Sequence, residues 1–356
     1  MATPTTTAHV AGPGNVYIPS SGYTKSPGAT RKMHIEFSRK PDTFAFNQYA
    51  QVVPDASPKG LYAVLDTDEA VRVVNLQDFE WPDGDDAPQD EGRRLTWKKF
   101  ATNRRAFPFR VGHKTRENAD FDIIGANSRM VATKAMTARS YDAVGVMTTS
   151  GNWGDNYSAT VDALLSTTGA SWISSSATDL FIQRSFHTIV SNIIKGTCGA
   201  IRLESHDIGV VISPDVAFQM ARTAEVRAYV VNNEQALPYW ESTGVYAAYN
   251  LPPIMYGVRI IVEDAVRVST RHGAASTTRG YMTGNNAIFV SRPNGLTGGV
   301  EGAPTFSTVT AFVHEDMTVE TKDDPDNRRM VGRVVDDIDV VITAPISGWL
   351  VADVTT

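Results

Sequence analysis

Residues 93–139, RRLTWKKFATNRRAFPFRVGHKTRENADFDIIGANSRMVATKAMTAR, pass from an extended basic stretch into a helix across one short linker. As far as Gly112, the aromatic residues Trp97, Phe100, Phe107 and Phe109 are interleaved with bases, a pattern suited to extended chain. From Asn118 the pattern turns helical and runs to about Val144. Asn118 is placed to cap, and Asp120 and Asp122 fall in the first turn, where the helix dipole favours anions. Ile124, Val131, Ala135 and Ala138 form a thin apolar row, with Arg129, Lys134 and Arg139 elsewhere. The expectation is a long helix, half covered, ended by Gly145 and the Ser/Gly/Asn-rich stretch 148–159.

Upstream, LYAVLD (61–66) and AVRVVNL (70–76) read as short strands, followed by the reversal WPDGDDAPQDEG (81–92). With residues 93–112 they make a long hairpin or a pair of extended segments. Charge is segregated along them. Asp66 to Glu91 holds ten acids and one base, and Arg93 to Arg116 holds nine bases and no acid. Paired as a hairpin, the two runs neutralise part of each other; splayed, they favour head-to-tail association of identical subunits. A two-stranded ribbon is marginal in water alone, so this one needs a neighbour, which another copy of the chain can supply.

Residues 1–45 are rich in Thr, Ser, Pro and Gly, and read either as a tail or as an arm that orders on something else. Tyr17, Ile18, Tyr23, Ile35, Phe37, Phe44 and Phe46 are the anchors in the second case. Downstream, a helix is expected over 177–195, on Leu180, Phe186, Ile189, Val190, Ile193 and Ile194. A buried strand, IGVVIS (208–213), follows, and Ser213-Pro214-Asp215 opens another helix. One strand is expected over 256–268, and two more over 307–322 and 328–343 flanking the acidic turn DDPDN. The class is α+β with a strand-rich second half.

Composition narrows the function. The chain has 356 residues, 42% of them hydrophobic, which is ample for a core. Its net charge of −6 excludes a polybasic protein, and one Cys excludes a disulfide framework and a Cys-based zinc cluster. The first 14 residues lack the basic start and apolar run of a secretion signal, so a soluble chain in a cytoplasm is expected, away from membranes. The seven His residues offer no i, i+4 pair for zinc, and His314-Glu315 is followed by Thr at position 318. There is no Gly-x-Ser-x-Gly elbow and no phosphate loop. Asp83-Gly84-Asp85-Asp86 does not fit a calcium loop, and Cys198 near His206 reads as packing. No enzyme, cofactor or metal is expected. The alternative function is nucleic-acid binding through 93–116, with bases stacking on its aromatics. An interface ribbon is preferred, because an acidic chain rarely relies on phosphate neutralisation.

The order of elements resembles the major capsid proteins of tailed bacteriophages, with the Hong Kong 97-type fold, over roughly residues 45–356. The resemblance rests on four features in sequence. An acidic-to-basic loop ends in AFPFRVGHKTRENADFDI, and ANSRMVATKAMTAR follows directly. The block DLFIQRSFHTIVSNIIK, IGVVISPDVAFQMAR and YGVRIIVEDAV comes next, and DDPDNRRMVGRVVDDIDVVITAPISGWLVADV closes the chain.

The resemblance implies an N-terminal arm (1–45), a strand and extended E-loop (46–117), and a peripheral domain with its spine helix (118–170). It further implies an axial domain (171–270) and return strands of both domains (271–356). The implied function is a subunit of an icosahedral head shell enclosing double-stranded DNA, in the virion and, during assembly, the host cytoplasm. Partners would be further copies in hexamers and pentamers, a separate scaffolding protein, a portal, decoration proteins, and packaged DNA held without sequence-specific contacts. The expected contacts between subunits are Trp81, Asp83, Asp85, Asp86, Arg93, Arg94, Trp97, Lys98, Lys99, Arg104 and Arg105. No Asn partner for Lys98 or Lys99 is marked, so no covalent cross-link is expected.

Overall fold

The computed structural model describes residues 38–55, 57–65, 73, 95–119, 122–203, 208–232, 249–271, 273–292 and 307–356. In chain order the elements begin with α1 (Phe46–Tyr49), β1 (Ala50–Pro54), β2 (Lys59–Leu65), β3 (Leu95–Ala101), β4 (Asn103–Gly112), α2 (His113–Asn118) and α3 (Ile123–Met147). Then come β5 (Tyr157–Ser158), α4 (Val161–Leu165), α5 (Phe181–Gly196), β6 (Ile208–Ile212), α6 (Pro214–Arg222), α7 (Ala224–Asn232), β7 (Ile254–Met255) and β8 (Val258–Val262). The last are β9 (Val266–Val268), β10 (Arg279–Tyr281), β11 (Ala287–Ser291), β12 (Val309–Asp324), β13 (Arg329–Ile342) and β14 (Trp349–Val351). The class is α+β, as expected.

One sheet has the order β1-β12-β13-β4, built on the β12–β13 hairpin that the alternation over 307–343 announces. Its pleat sorts β4 into two faces. Phe109 and Val111 point to α3, where they bury with Val131, Ala135 and Val334, and partly buried Phe107 packs against them. Phe109 lies flat over its cross-strand partner Gly332, where a Cβ would overlap the ring. That glycine lets a large aromatic fit between sheet and helix.

The second sheet runs β5-β14-β11-β6-β8-β7. Ile208, Val210 and Ile212 of β6 face Phe186, Ile189 and Ile193 of α5 in one core. Val211 faces the other way, into a second core shared with Val309, Ala311, Ile338 and Val340 of the first sheet and Met136, Ala143 and Met147 of α3. A strand covered on both faces needs apolar residues at every position, which is why IGVVI reads as an unbroken run. Ser213 caps α6 as expected, accepting from Val216 N at 3.3 Å.

Several expectations need correction. α3 starts at Ile123 with Asp122 as its cap, accepting from Gly125 N at 3.0 Å, while Asn118 ends the separate helix α2. Ala119 is extended, with ψ 131°, and breaks the two apart. α3 continues through Gly145 to Met147. The helix expected over 177–195 begins at Phe181. The strand expected over 256–268 divides into β8 and β9 around Glu263–Ala265. Arg139, off the apolar row, is nevertheless buried, at 4% exposure. The basic stretch 93–112 breaks at Thr102, so only its first half pairs in the hairpin and its second half enters the first sheet. AVRVVNL and the reversal 81–92 lie outside the described residues apart from Val73. Of residues 1–45, only 38–45 are described, and Phe44 there is buried on the chain's own body, as is Phe46 beyond it.

Two buried ionic groups tie the elements together. The Arg139 guanidinium meets Asp336 of β13 at 3.0 and 2.5 Å and Asp316 of β12 at 2.6 Å. A register irregularity in β12 between Val313 and Thr318 turns Asp316 toward the helix. Burial, the largest single effect, pulls the guanidinium down, but Asp336 and then Asp316 together outweigh it and hold the group above its ordinary range. Glu225 of α7 accepts from Ile182 N at 3.0 Å and Gln183 N at 2.7 Å, capping the distant helix α5, and from Tyr256 Oη at 2.9 Å. Burial first, then the Glu225 charge, pushes the Tyr256 phenol far above its ordinary range.

Candidate functional site

The hairpin β2–β3 pairs Gly60 with Phe100, Tyr62 with Lys98, Ala63 with Trp97 and Leu65 with Leu95. Directly opposed residues share a face, so each strand alternates between two environments. The inner face carries Gly60, Tyr62, Lys98 and Phe100. Phe100 is buried and stacks on Phe312 of β12 with centroids 4.1 Å apart, and Tyr62 stacks on the same ring at 5.7 Å. Gly60 makes room for this, since a Cβ there would overlap the Phe100 ring. Ala101 N donates to Asp339 at 2.9 Å. Desolvation first, then the Asp339 charge, raises the Tyr62 phenol. The root of the ribbon is thus seated on the sheet face opposite α3.

The outer face has no cover within the described residues. Trp97 is 62% exposed, Leu61 57% and Leu95 54%, with Ala63 and Lys99 beside them. Three large apolar side chains on one face of a two-stranded ribbon cost solvation free energy, and burying each would contribute about 1.5–3 kcal/mol. The arrangement offers no acid–base pair or nucleophile; it offers a surface.

The pleat also decides what the basic stretch can do. Lys98 and Lys99 are exposed and point to opposite faces of the ribbon. Arg104 crosses to Glu315 at 2.9 Å on the ribbon side of the sheet, whereas Arg105 turns to Asp142 of α3 at 2.9 Å. Bases dispersed over opposite faces, two of them neutralised within the chain, do not make one phosphate-tracking groove. The nucleic-acid reading of 93–116 is therefore not supported.

Of the residues expected to touch other subunits, Trp97, Lys98 and Lys99 come together on the ribbon. Arg104 and Arg105 stand apart on β4 with partners of their own. Trp81, Asp83, Asp85, Asp86, Arg93 and Arg94 lie outside the described residues. Sequence reasoning passed over Leu61 and Leu95, although their places in the alternation opposite Tyr62 and Phe100 mark them. It also passed over Gly60 and Phe312, whose roles depend on Phe100 stacking on a ring 212 residues further along the chain. Among the described residues, no group of three or more His, Cys, Asp or Glu is arranged to hold a metal ion. No described helix is long and apolar enough to cross a membrane.

No family model matches the sequence, and no curated protein matches it. Solved structures do. A phage-related protein from Bordetella bronchiseptica RB50 superposes with a TM-score of 0.59 at 16% identity, over 88% of this chain and 93% of its own. The asymmetric unit of the bacteriophage PhiM1 mature capsid gives 0.50 at 13%, over 92% and 90% respectively. The capsid structure of the cyanophage P-SCSP1u gives 0.52 at 9%, over 94% and 93%. Near-complete coverage of both chains extends the likeness to the whole architecture, and the chain has the tailed-phage capsid protein fold of Hong Kong 97 type.

Proposed function

We propose that the chain is a major capsid protein, a structural subunit that assembles with further copies into an icosahedral head shell around double-stranded DNA. The observation that carries this reading is the ribbon β2–β3. Its root is fixed on Phe312, and its Trp97, Leu61 and Leu95 face is left open. A subunit that spends stability on such a face gains it back when a neighbour covers the face. Repetition around a closed shell multiplies each modest contact. The capsid structures that share the fold support the same reading.

In this assignment residues 1–45 are the arm and 46–117 the strand and E-loop. Residues 118–170 belong to the peripheral domain with α3 as spine, 171–270 to the axial domain, and 271–356 to the return strands. The subunit acts by assembly rather than catalysis, its place is the virion, and assembly takes place in the host cytoplasm. A separate scaffolding protein, a portal and decoration proteins are its further partners, and packaged DNA is held without sequence-specific contacts. The proposed contact residues on the described ribbon are Trp97, Lys98 and Lys99, joined by Leu61 and Leu95. Trp81, Asp83, Asp85, Asp86, Arg93, Arg94, Arg104 and Arg105 stay in the proposal as expected from the sequence.

Negative-stain microscopy and sedimentation of the purified chain test the proposal. Shells or closed oligomers are expected, and their loss in Trp97→Ser/Leu95→Ser with an unchanged circular dichroism spectrum. A chain that stays monomeric at high concentration and binds single-stranded nucleic acid with a steep salt dependence would overturn it.

A further inference from the structure

Three polar groups from three elements meet out of reach of water. Tyr49 of α1, Ser140 of α3 and Glu263, just past β8, are each 0% exposed. Tyr49 Oη, Ser140 Oγ and Glu263 Oε2 lack an ordinary hydrogen-bond partner. Tyr49 is the group that both others act on: burial first, then the Glu263 charge, pushes its phenol well up, and Ser140 draws it down. The other Glu263 oxygen accepts from Ala265 N at 3.2 Å, and Glu263 N donates to Ile212 O at 2.9 Å. The carboxyl is therefore held in place with one oxygen supplied by a backbone amide and the Tyr49 hydroxyl beside it.

We propose that Glu263, Tyr49 and Ser140 form a proton-operated latch, closed while Glu263 is neutral and loosened when it ionises. The latch holds the Phe46–Tyr49 turn, and with it the entering segment 38–45, against α3 and the end of β8. A neutral carboxyl presents a hydroxyl that can donate to the Tyr49 oxygen. An ionised one puts a charge in a dry site with only the Ala265 amide and the Tyr49 hydroxyl to donate to it, which costs several kcal/mol in general. The charged and titratable groups around it do not cancel that cost. Asp264 is adjacent and of like sign. Arg39, ahead of α1, is committed to Asp264 at 2.7 Å. Desolvation dominates, partly opposed by the Ala265 amide and the Tyr49 phenol; Asp264 adds to it and Arg39 subtracts, so the carboxyl is pushed up to about 7.

The sign follows from linkage. The folded chain holds this proton more tightly than the unfolded chain, whose carboxyl titrates near the ordinary 4.5. The contribution to stability is complete below that value and is lost as pH rises through about 7. In an assembled shell the same latch would couple the position of the entering segment to pH. The latch itself is tested on unassembled chain, so a failure of the shell reading leaves it standing.

The test is a carboxyl 13C titration of the full-length protein, with hydrogen exchange of residues 38–50 at pH 6 and 8.5, corrected for intrinsic rates. A Glu263 midpoint near 7 is expected, together with roughly tenfold faster exchange in that segment at the higher pH. Glu263→Gln should exchange slowly at both pH values, and Tyr49→Phe should shift the midpoint. A midpoint in the ordinary carboxylate range, or pH-dependent loosening that persists in Glu263→Gln, overturns the latch. If Glu263→Gln does not fold, the native titration decides alone.

Discussion

Replacing Asp336 by Ala isolates the charge cluster at the centre of the first sheet. Asp336 is 1% exposed and supplies two of the three charge-assisted bonds to the Arg139 guanidinium, at 3.0 and 2.5 Å. Its loss leaves Arg139 buried with only the partly exposed Asp316 opposite. Stranding one partner of a buried pair costs about 3–5 kcal/mol. A typical domain has about 5–15 kcal/mol in total, so the variant should be marginal. Equilibrium urea unfolding of the unassembled subunit measures this as a fall in midpoint at unchanged slope. The double variant Arg139→Met/Asp336→Leu removes both charges together and should lose less than Asp336→Ala alone. A cost below about 1 kcal/mol for the single change, or additive losses in the double, would refute the claim that the pair is mutually dependent.

Other outcomes follow from single contacts. Gly332→Ala should destabilise the subunit by about 1–3 kcal/mol in the same unfolding assay, because Phe109 cannot withdraw from under α3. Glu225→Gln weakens the cap on α5 and should speed amide exchange at Ile182 and Gln183, with a loss of about 1–3 kcal/mol. Phe312→Ala should unseat the ribbon root, seen as lost protection over residues 59–65 and 95–101, while the β12–β13 hairpin stays protected. Lys98→Glu and Lys99→Glu, tested separately, should differ in their effect on assembly, because the two side chains leave opposite faces of the ribbon. Lys99 shares the open face with Trp97.

Local patterns carried much of the fold in readable form. The alternation over 307–343 announced the β12–β13 hairpin. Ser213-Pro214 announced the start of α6, and the unbroken apolar run of β6 announced a strand covered on both sides. What escaped was contact between residues far apart in the chain. Arg139 stands off the apolar row of its own helix, and its burial follows only from Asp316 and Asp336 arriving from two distant strands. The division of β8 from β9 puts Glu263 at 0% exposure between them, a burial that the local pattern of the segment does not announce. In the ribbon, aromatics interleaved with bases identified the segment, but not which face each side chain takes. The register with β2 decides that, and it placed Trp97 outward and Phe100 inward. The charge runs were visible as counts, yet the partners of Arg104 and Arg105 turned out to be Glu315 and Asp142, outside the acidic run.

The central claim is that a second copy of the chain covers the open face of the ribbon. A photo-reactive amino acid placed at position 97, activated in assembled particles and mapped by mass spectrometry, tests this most directly. The account predicts covalent adducts joining position 97 to a peptide of a different subunit, absent when the subunits are dissociated before activation. Particles that assemble with position 97 reacting only with solvent or with its own chain would contradict it.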